Sequence, residues 1–397
     1  MSVATLWLGI SSLSGLIWVG LLLFRGQFWR ANPVLDPTPP PLDQQEWPSV
    51  CAIVPARNEA EVLPVSLRSL LQQTYPGPFN VLLIDDQSTD GTGEIAQQIA
   101  AELDQPSQLQ ILQTTPLPPG WSGKLWAMHQ GIETVLAESA PTYFLLTDAD
   151  IQHGLNSLLC LVTKAEQERR DMVSLMVLLR CQSLWERLLI PAFVFFFQKL
   201  YPFSWVNQPQ NQMAAAAGGC ILVRRDALIA AGGIAAIREA LIDDCALAAA
   251  IKLTPNSQPN RNIWLGLSTS THSLRSYNTL DSIWSMVART AFTQLHYSIV
   301  LLIGTVLGML LVYLVPPFSL LLGVVLGNIS ITLVGLVTWV LMTMAYLPTI
   351  RLYQRSPLWA VSLPVIALLY NLMTLDSARQ YWQGQGGAWK GRVYPAR

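Results

Sequence analysis

Val3–Phe24 is an unbroken apolar run without a charged residue. At about 1.5 Å per residue it is long enough to cross a hydrocarbon core of about 30 Å. From residue 49 the pattern changes. Short apolar runs at Ser49–Pro55, Phe79–Ile84, Gln108–Gln113 and Tyr143–Leu146 alternate with helical spacing at Glu59–Gln73, Thr92–Leu103 and Ser122–Leu136. Runs that lack polar alternation predict strands buried on both faces, and their alternation with helices predicts a two-layered, parallel α/β sheet. A strand at Cys220–Val223 and a helix at Cys245–Ile251 are expected further on. Thr290 to Ile350 again holds no charged residue. That length allows two crossing helices, with Pro316-Pro317 as the expected break, since proline donates no helix hydrogen bond. A third apolar piece, Pro357–Leu375, carries Pro364 and Asn371; crossing and re-entrant readings both stay open. Leu188–Phe197, followed by Lys199, Tyr201 and Trp205, is too short to span. Its aromatic and basic residues suit the headgroup zone, with a buried core helix as the alternative.

Composition sharpens this picture. Of 397 residues 12% are charged, against roughly 25% in soluble domains. The deficit sits in the apolar ends: Trp47–Arg289 carries 16 Lys+Arg and 21 Asp+Glu. A wholly soluble protein and a disordered one are excluded. The net charge of −1 excludes a strongly basic nucleic-acid binder. Cys51, Cys160, Cys181, Cys220 and Cys245 form no C-x-x-C pair, which fits a reducing compartment. Arg25 and Arg30 follow the first apolar run instead of preceding it, so it reads as a retained anchor with the next domain in the cytoplasm. The expected organisation is a transmembrane anchor at 1–24, a proline-rich linker at 25–48 and a cytoplasmic catalytic domain at 49–290. Within that domain 188–205 is the interfacial candidate. A transmembrane or re-entrant region at 291–375 and a basic tail at 376–397 follow.

The chemistry lies where the strands end. The first run closes in Pro55-Ala56-Arg57-Asn58-Glu59, the second in Asp85-Asp86-Gln87-Ser88-Thr89-Asp90-Gly91, the fourth in Thr147-Asp148-Ala149-Asp150. Ligands of open α/β sheets bind outside the carboxyl ends of the strands, so three polar, mostly acidic clusters are expected on one edge. Crowded carboxylates require a cation or hydrogen-bond donors. Asp148 and Asp150, at i and i+2 of an extended segment, point the same way and suit a hard divalent ion, Mg²⁺ or Mn²⁺, shared with phosphate oxygens. Asp85-Asp86 suits hydrogen bonds to a base or ribose, or a turn. Asp243-Asp244 stands where a helix cap would. Gly218-Gly219 allows close backbone approach to a ligand. His153 is a candidate third metal ligand.

These motifs, in this order, resemble the family 2 glycosyltransferases over about residues 49–290. The carriers are P-A-R-N-E at 55–59, D-D-Q-S-T-D-G-T at 85–92, G-W-S-G-K-L-W-A at 120–127, D-A-D at 148–150 and A-G-G-C-I-L-V-R-R at 217–225. Within that family the chain is most similar to the hopene-associated members, which share the N-terminal anchor, A-R-T-A-F-T-Q-L at 288–295 and W-K-G-R at 389–392. The resemblance implies a GT-A fold, a mixed, mainly parallel sheet flanked by helices, with transmembrane helices at both termini. It implies inverting transfer from a nucleotide-diphosphate sugar, a UDP-sugar. The apolar segments around the one polar domain point to an acceptor that itself lies in the cell membrane, a lipid such as a hopanoid or another isoprenoid. By position, Pro55, Ala56, Arg57, Glu59 and Asp86 meet the nucleoside and Lys124 the phosphates. Asp148 and Asp150 hold the metal, and Gly218 and Gly219 lie on the acceptor side. The family's Glu-Asp pair falls on Asp243-Asp244, with Asp replacing Glu at the first position and Asp244 as the base. The Q-x-x-R-W motif of processive members is absent in form; Arg289 stands there and can serve the diphosphate. A polyprenyl-phosphate acceptor is the alternative within this class, and a nucleotide-binding membrane transporter or scaffold the alternative outside it.

Overall fold

The computed structural model describes residues 3–38, 46–253 and 262–384, with the backbone of 388–389 and 392–393. Lys390, Gly391 and Arg397 of the expected basic tail, and 39–45 of the linker, lie outside the described residues. The core is one eight-stranded sheet of order β3-β2-β1-β4-β7-β6-β8-β5. Its strands are β1 Val50–Ala56, β2 Phe79–Asp85, β3 Leu109–Gln113, β4 Tyr143–Thr147, β5 Ile151–Gln152, β6 Met172–Leu178, β7 Cys220–Arg224 and β8 Ile263–Ser273. β1, β2, β3 and β4 are parallel, as are β6 and β8, while β7 runs antiparallel to β4 and β6. The sheet is thus mixed and mainly parallel. Every residue of β1 and β4 is buried, which is why both read as continuous apolar runs. The linker opens with a short 3-10 helix at Phe28–Arg30 and is extended around Pro33–Leu35. Leu35 N donates to Leu267 O and Leu267 N to Pro33 O, lacing it onto β8.

Four helices are long and apolar enough to cross a membrane: Val3–Phe24, Ile299–Val325, Ile329–Leu352 and Pro357–Trp382. The break expected at Pro316-Pro317 is not there. The chain passes those prolines inside the helix Ile299–Val325 and turns instead at Gly327 (φ +61°) and Asn328, whose side chain caps the next helix by accepting from Ile331 N. The helix continues because it widens to a π-turn at Leu310–Leu314, and its orphaned carbonyls find outside donors. The missing proline N–H groups leave Leu311 O and Val312 O unmatched; Ser14 Oγ donates to the first at 2.8 Å and Trp18 Nε1 to the second at 2.7 Å. Helix-breaking residues in a membrane are tolerated when neighbours re-satisfy the backbone in this way.

The aromatic segment expected at headgroup level is largely core. It forms the helix Leu184–Leu200, started by a capping box of Ser183 and Glu186. Phe195 is fully buried between Phe28 and Tyr346, and Phe196 packs on Tyr313 and Tyr370. Lys199 Nζ donates to Tyr313 Oη at 2.8 Å. A helix that is apolar on nearly every side is covered on nearly every side. Here one side meets the candidate spans, and two rings, Phe193 and Phe197, reach the cleft described next.

Candidate functional site

A cleft of about 310 Å³ opens along the carboxyl ends of β1, β4 and β8. It is lined by Pro55 near the end of β1 and Glu59 after it, Asp148 and Asp150 after β4, and Gly218 and Gly219 before β7. The helix Gly123–Glu138 adds Lys124, the helix Asp243–Leu253 adds Asp243 and Asp244, and Arg289 lines the cleft as well. Residues far apart in sequence meet there because β7 lies beside β4 in the sheet.

Lys124 is the hub. It sits in the first turn of its helix, which Ser122 caps by accepting from Leu125 N. Its Nζ lies 2.9 Å from Asp148 Oδ1 and 3.2 Å from Asp243 Oδ2. Burial works against the charged ammonium, yet Asp148 and Asp243 outweigh it and hold its pKa above the ordinary lysine value. Asp244 is held rigidly: Oδ2 accepts from Gly218 N at 2.9 Å and Oδ1 from Cys245 N at 2.7 Å. Its pKa is pushed up to about 6, first by burial and then by the Asp243 carboxylate. The capping expectation changes form, because Asp243 and Asp244 occupy the first helical turn instead of the cap itself. Negative charge is favoured there too, by the helix dipole.

Asp148 and Asp150 border the same cleft, and their oxygen donors fit a hard cation that takes its remaining ligands from phosphate and water. Among the described residues no three His, Cys, Asp or Glu side chains cluster as a ready-made cage. His153 is not a third ligand. It is buried behind the turn, with Nε2 3.0 Å from Thr147 Oγ1, its backbone N donating to Ser69 Oγ and its pKa pushed down to about 4 by burial.

Ala56, Arg57 and Asp86 sit beside the cleft and not in its lining. Arg57 Nη1 donates to Asp86 O at 2.6 Å and lies 3.4 Å from Asp86 Oδ2, while Thr114 Oγ1 donates to Asp86 Oδ1. Asp86 N donates to Ala56 O, which ties the ends of β1 and β2 together. Asp85 and Asp90 are turn builders: Asp85 accepts from Ser88 N and Gln113 Nε2, Asp90 from Thr92 N and Ala60 N.

Sequence reasoning missed Arg275 and Tyr277, which follow β8 and line the cleft, and the apolar wall of Phe193, Phe197 and Met286. The signal for Arg275 was available: it is polar and stands just past a strand end, in the segment where no strand was expected.

Residues 51–232 match the family Glycosyl transferase family 2. The chain is 28% identical over 163 residues to a beta-monoglucosyldiacylglycerol synthase of Nostoc sp., covering 41% of this chain and 31% of that protein. It is 29% identical over 133 residues to a 4,4'-diaponeurosporenoate glycosyltransferase of Staphylococcus haemolyticus, covering 32% and 31%. The matched stretch thus spans about a third of the length of these relatives. Among solved structures, a mannosyltransferase of Pyrobaculum calidifontis in complex with GDP-Man and Mn2+ is similar over 94% of this chain and 99% of that one. Its TM-score is 0.51 and its identity 16%.

Proposed function

The chain carries a family 2 glycosyltransferase domain of the GT-A fold, and from that premise we propose that it moves a sugar from a nucleotide-diphosphate donor to a membrane lipid, with inversion at the sugar C1. The observation that carries this reading is the meeting of Lys124, Asp148, Asp243 and Asp244 in one cleft that Phe193, Phe197 and Met286 also line. A polar reaction centre backed by aromatic side chains of a helix packed on the candidate spans suits an acceptor with a greasy body. The Nostoc and Staphylococcus relatives, named for glycosylating lipid-like molecules, support the same acceptor class. A UDP-sugar donor, a hopanoid or other isoprenoid acceptor, and a cytoplasmic domain on the cell membrane are the finer parts of the proposal.

The residues divide the work. Pro55, Ala56, Arg57, Glu59 and Asp86 frame the nucleoside end. Asp148 and Asp150 would hold a Mg²⁺ or Mn²⁺ ion, which supplies Lewis-acid stabilisation of the departing diphosphate. Lys124 and Arg289 add positive charge where negative charge develops. The acceptor hydroxyl attacks C1 from the face opposite the diphosphate. The C1–O bond to phosphate breaks, the nucleoside diphosphate leaves with its electron pair, and the hydroxyl proton passes to Asp244. A base with a pKa near 6 is ionised yet still basic at neutral pH, a setting typically worth about 10²–10⁴-fold. Gly218 and Gly219 keep the space beside that base open for the acceptor. A base also favours a hydroxyl over a polyprenyl phosphate, because a phosphate is already largely ionised at pH 7, with a second pKa of about 6.

The test is a donor screen on purified protein with UDP-glucose, UDP-galactose, UDP-N-acetylglucosamine and GDP-mannose labelled in the sugar, extracted membrane lipid as acceptor, and Mn²⁺, Mg²⁺ or chelator. Cation-dependent label in the organic phase that survives mild acid is expected. Acid-labile label would indicate a polyprenyl phosphate. Label confined to water-soluble products would refute the lipid acceptor.

A further inference from the structure

We infer that Arg275, presented with Tyr277 on the loop 274–279, is a second cationic arm that grips the donor's diphosphate across the cleft from Lys124. This rests on the nucleotide-diphosphate donor proposed above. The charge of Lys124 is already divided between Asp148 and Asp243. Glycosyl transfer adds a further negative charge to the leaving diphosphate, so the site needs positive charge that its own carboxylates do not consume. Arg275 and Arg289 line the cleft, and neither forms an ion pair with a described residue.

The placement of Arg275 follows from strand register. β5 pairs antiparallel with β8, Ile151 opposite Ser273, and Leu274 N donates to Asp150 O at 2.8 Å. Residue 275 therefore leaves the sheet beside the Asp148-Ala149-Asp150 turn, where the diphosphate is expected. Tyr277 lies within the electrostatic reach of Arg275, Asp150, Arg289 and Asp148 together. The loop is also pinned from behind. Glu186, fully buried, accepts from Tyr277 N at 2.8 Å and from Gln182 N and Ser183 N, and pairs with Arg180 at 3.2 Å. Arg180 Nη1 donates in turn to Asn278 Oδ1 at 2.7 Å. A buried carboxylate that gathers these donors holds the loop in place before ligand arrives, which lowers the ordering cost of binding. A guanidinium is the side chain suited to bidentate contact with phosphate oxygens.

The experiment compares a nucleoside diphosphate with its monophosphate on the full-length protein in detergent. UDP against UMP and GDP against GMP are titrated with Mn²⁺ present, by calorimetry, for wild type, Arg275→Ala and Arg275→Lys. A charge-assisted contact to the outer phosphate predicts a 10–100-fold loss of diphosphate affinity in Arg275→Ala. Monophosphate affinity should stay within twofold, and Arg275→Lys should recover part of the loss. Equal losses for di- and monophosphate would place Arg275 at the nucleoside or in the fold and overturn the inference, as would unchanged affinity for both. A wild type that binds none of the four nucleotides would overturn the donor reading itself, an outcome distinguishable from the other two.

Discussion

Asp244→Asn should separate catalysis from stability. Removing the base is expected to lower kcat about 10²–10⁴-fold, which is about 3–5 kcal/mol of transition-state stabilisation. Stability should move the other way or not at all. The carboxyl pKa is raised from 3.8 to about 6, first by burial. The folded state therefore binds the proton more tightly than the unfolded one. Stability from this group is fully present below the unfolded value of 3.8 and is lost as pH rises through about 6. At pH 7.5 the ionised carboxylate is a liability of about 3 kcal/mol at ~1.4 kcal/mol per pH unit. Solvent screening at a partly exposed group trims that to roughly 1–2 kcal/mol. Asparagine removes the charge but also one acceptor, leaving either Gly218 N or Cys245 N without its partner at a cost of about 1 kcal/mol. The net expectation at pH 7.5 is between no change and a gain of about 1 kcal/mol, or at most about 2–4 °C in Tm. The assays are sugar transfer at saturating donor from pH 5 to 8, nucleotide binding, and thermal unfolding in detergent at pH 7.5 and 5. Wild-type transfer should fall about tenfold per pH unit below about 6, and the variant's residual rate should lack that limb. Retention of more than a third of wild-type kcat with the acid limb intact would refute Asp244 as base. A Tm drop beyond 5 °C would make it a structural residue instead.

Two further perturbations probe the site and the bundle. In Gly218→Ala the new methyl would sit 3.5 Å from Asp244 Oδ2 and 3.5 Å from Lys124 Nζ, ordinary contact distances. Stability should stay within about 0.5 kcal/mol while transfer falls at least about tenfold, because the methyl occupies the space between base and lysine; full activity in a transfer assay would show that the sugar does not pass there. Trp18→Phe keeps an aromatic ring in the buried site but removes the donor to Val312 O together with the second ring of the indole. It should destabilise the bundle by about 1–3 kcal/mol, read as an earlier denaturation midpoint in detergent, and an unchanged midpoint would contradict the account of the π-turn.

Much of the catalytic domain was legible in the chain. Strands buried on both faces must be continuously apolar, so β1, β2 and β4 stood out, and the polar residues at their ends marked the functional edge; β3, at the sheet edge with two glutamines and no fully buried residue, was legible from its place between helices. Asp148 and Asp150 could be named from their place just after a strand, whereas Asp243 and Asp244 were named only through the family resemblance. Proline, by contrast, was over-read at Pro316-Pro317. Whether a helix breaks there depends on whether another helix can offer donors to the freed carbonyls, and Ser14 and Trp18, near the other end of the chain, supply them. Leu184–Leu200 was read for its aromatic content, but a single helix cannot state how many of its sides will be covered.

Periodicity records which face of an element leaves water, and so the sequence by itself determined the α/β class, the apolar helices and the acidic strand ends. Tertiary structure alone decided that Lys124 would bridge Asp148 and Asp243, that Arg275 would leave the sheet beside Asp150, and that Phe193 and Phe197 would line the same cleft. The reason is that burial is a property each segment carries locally, whereas partnership depends on strand order and register, which are set only when distant segments pair.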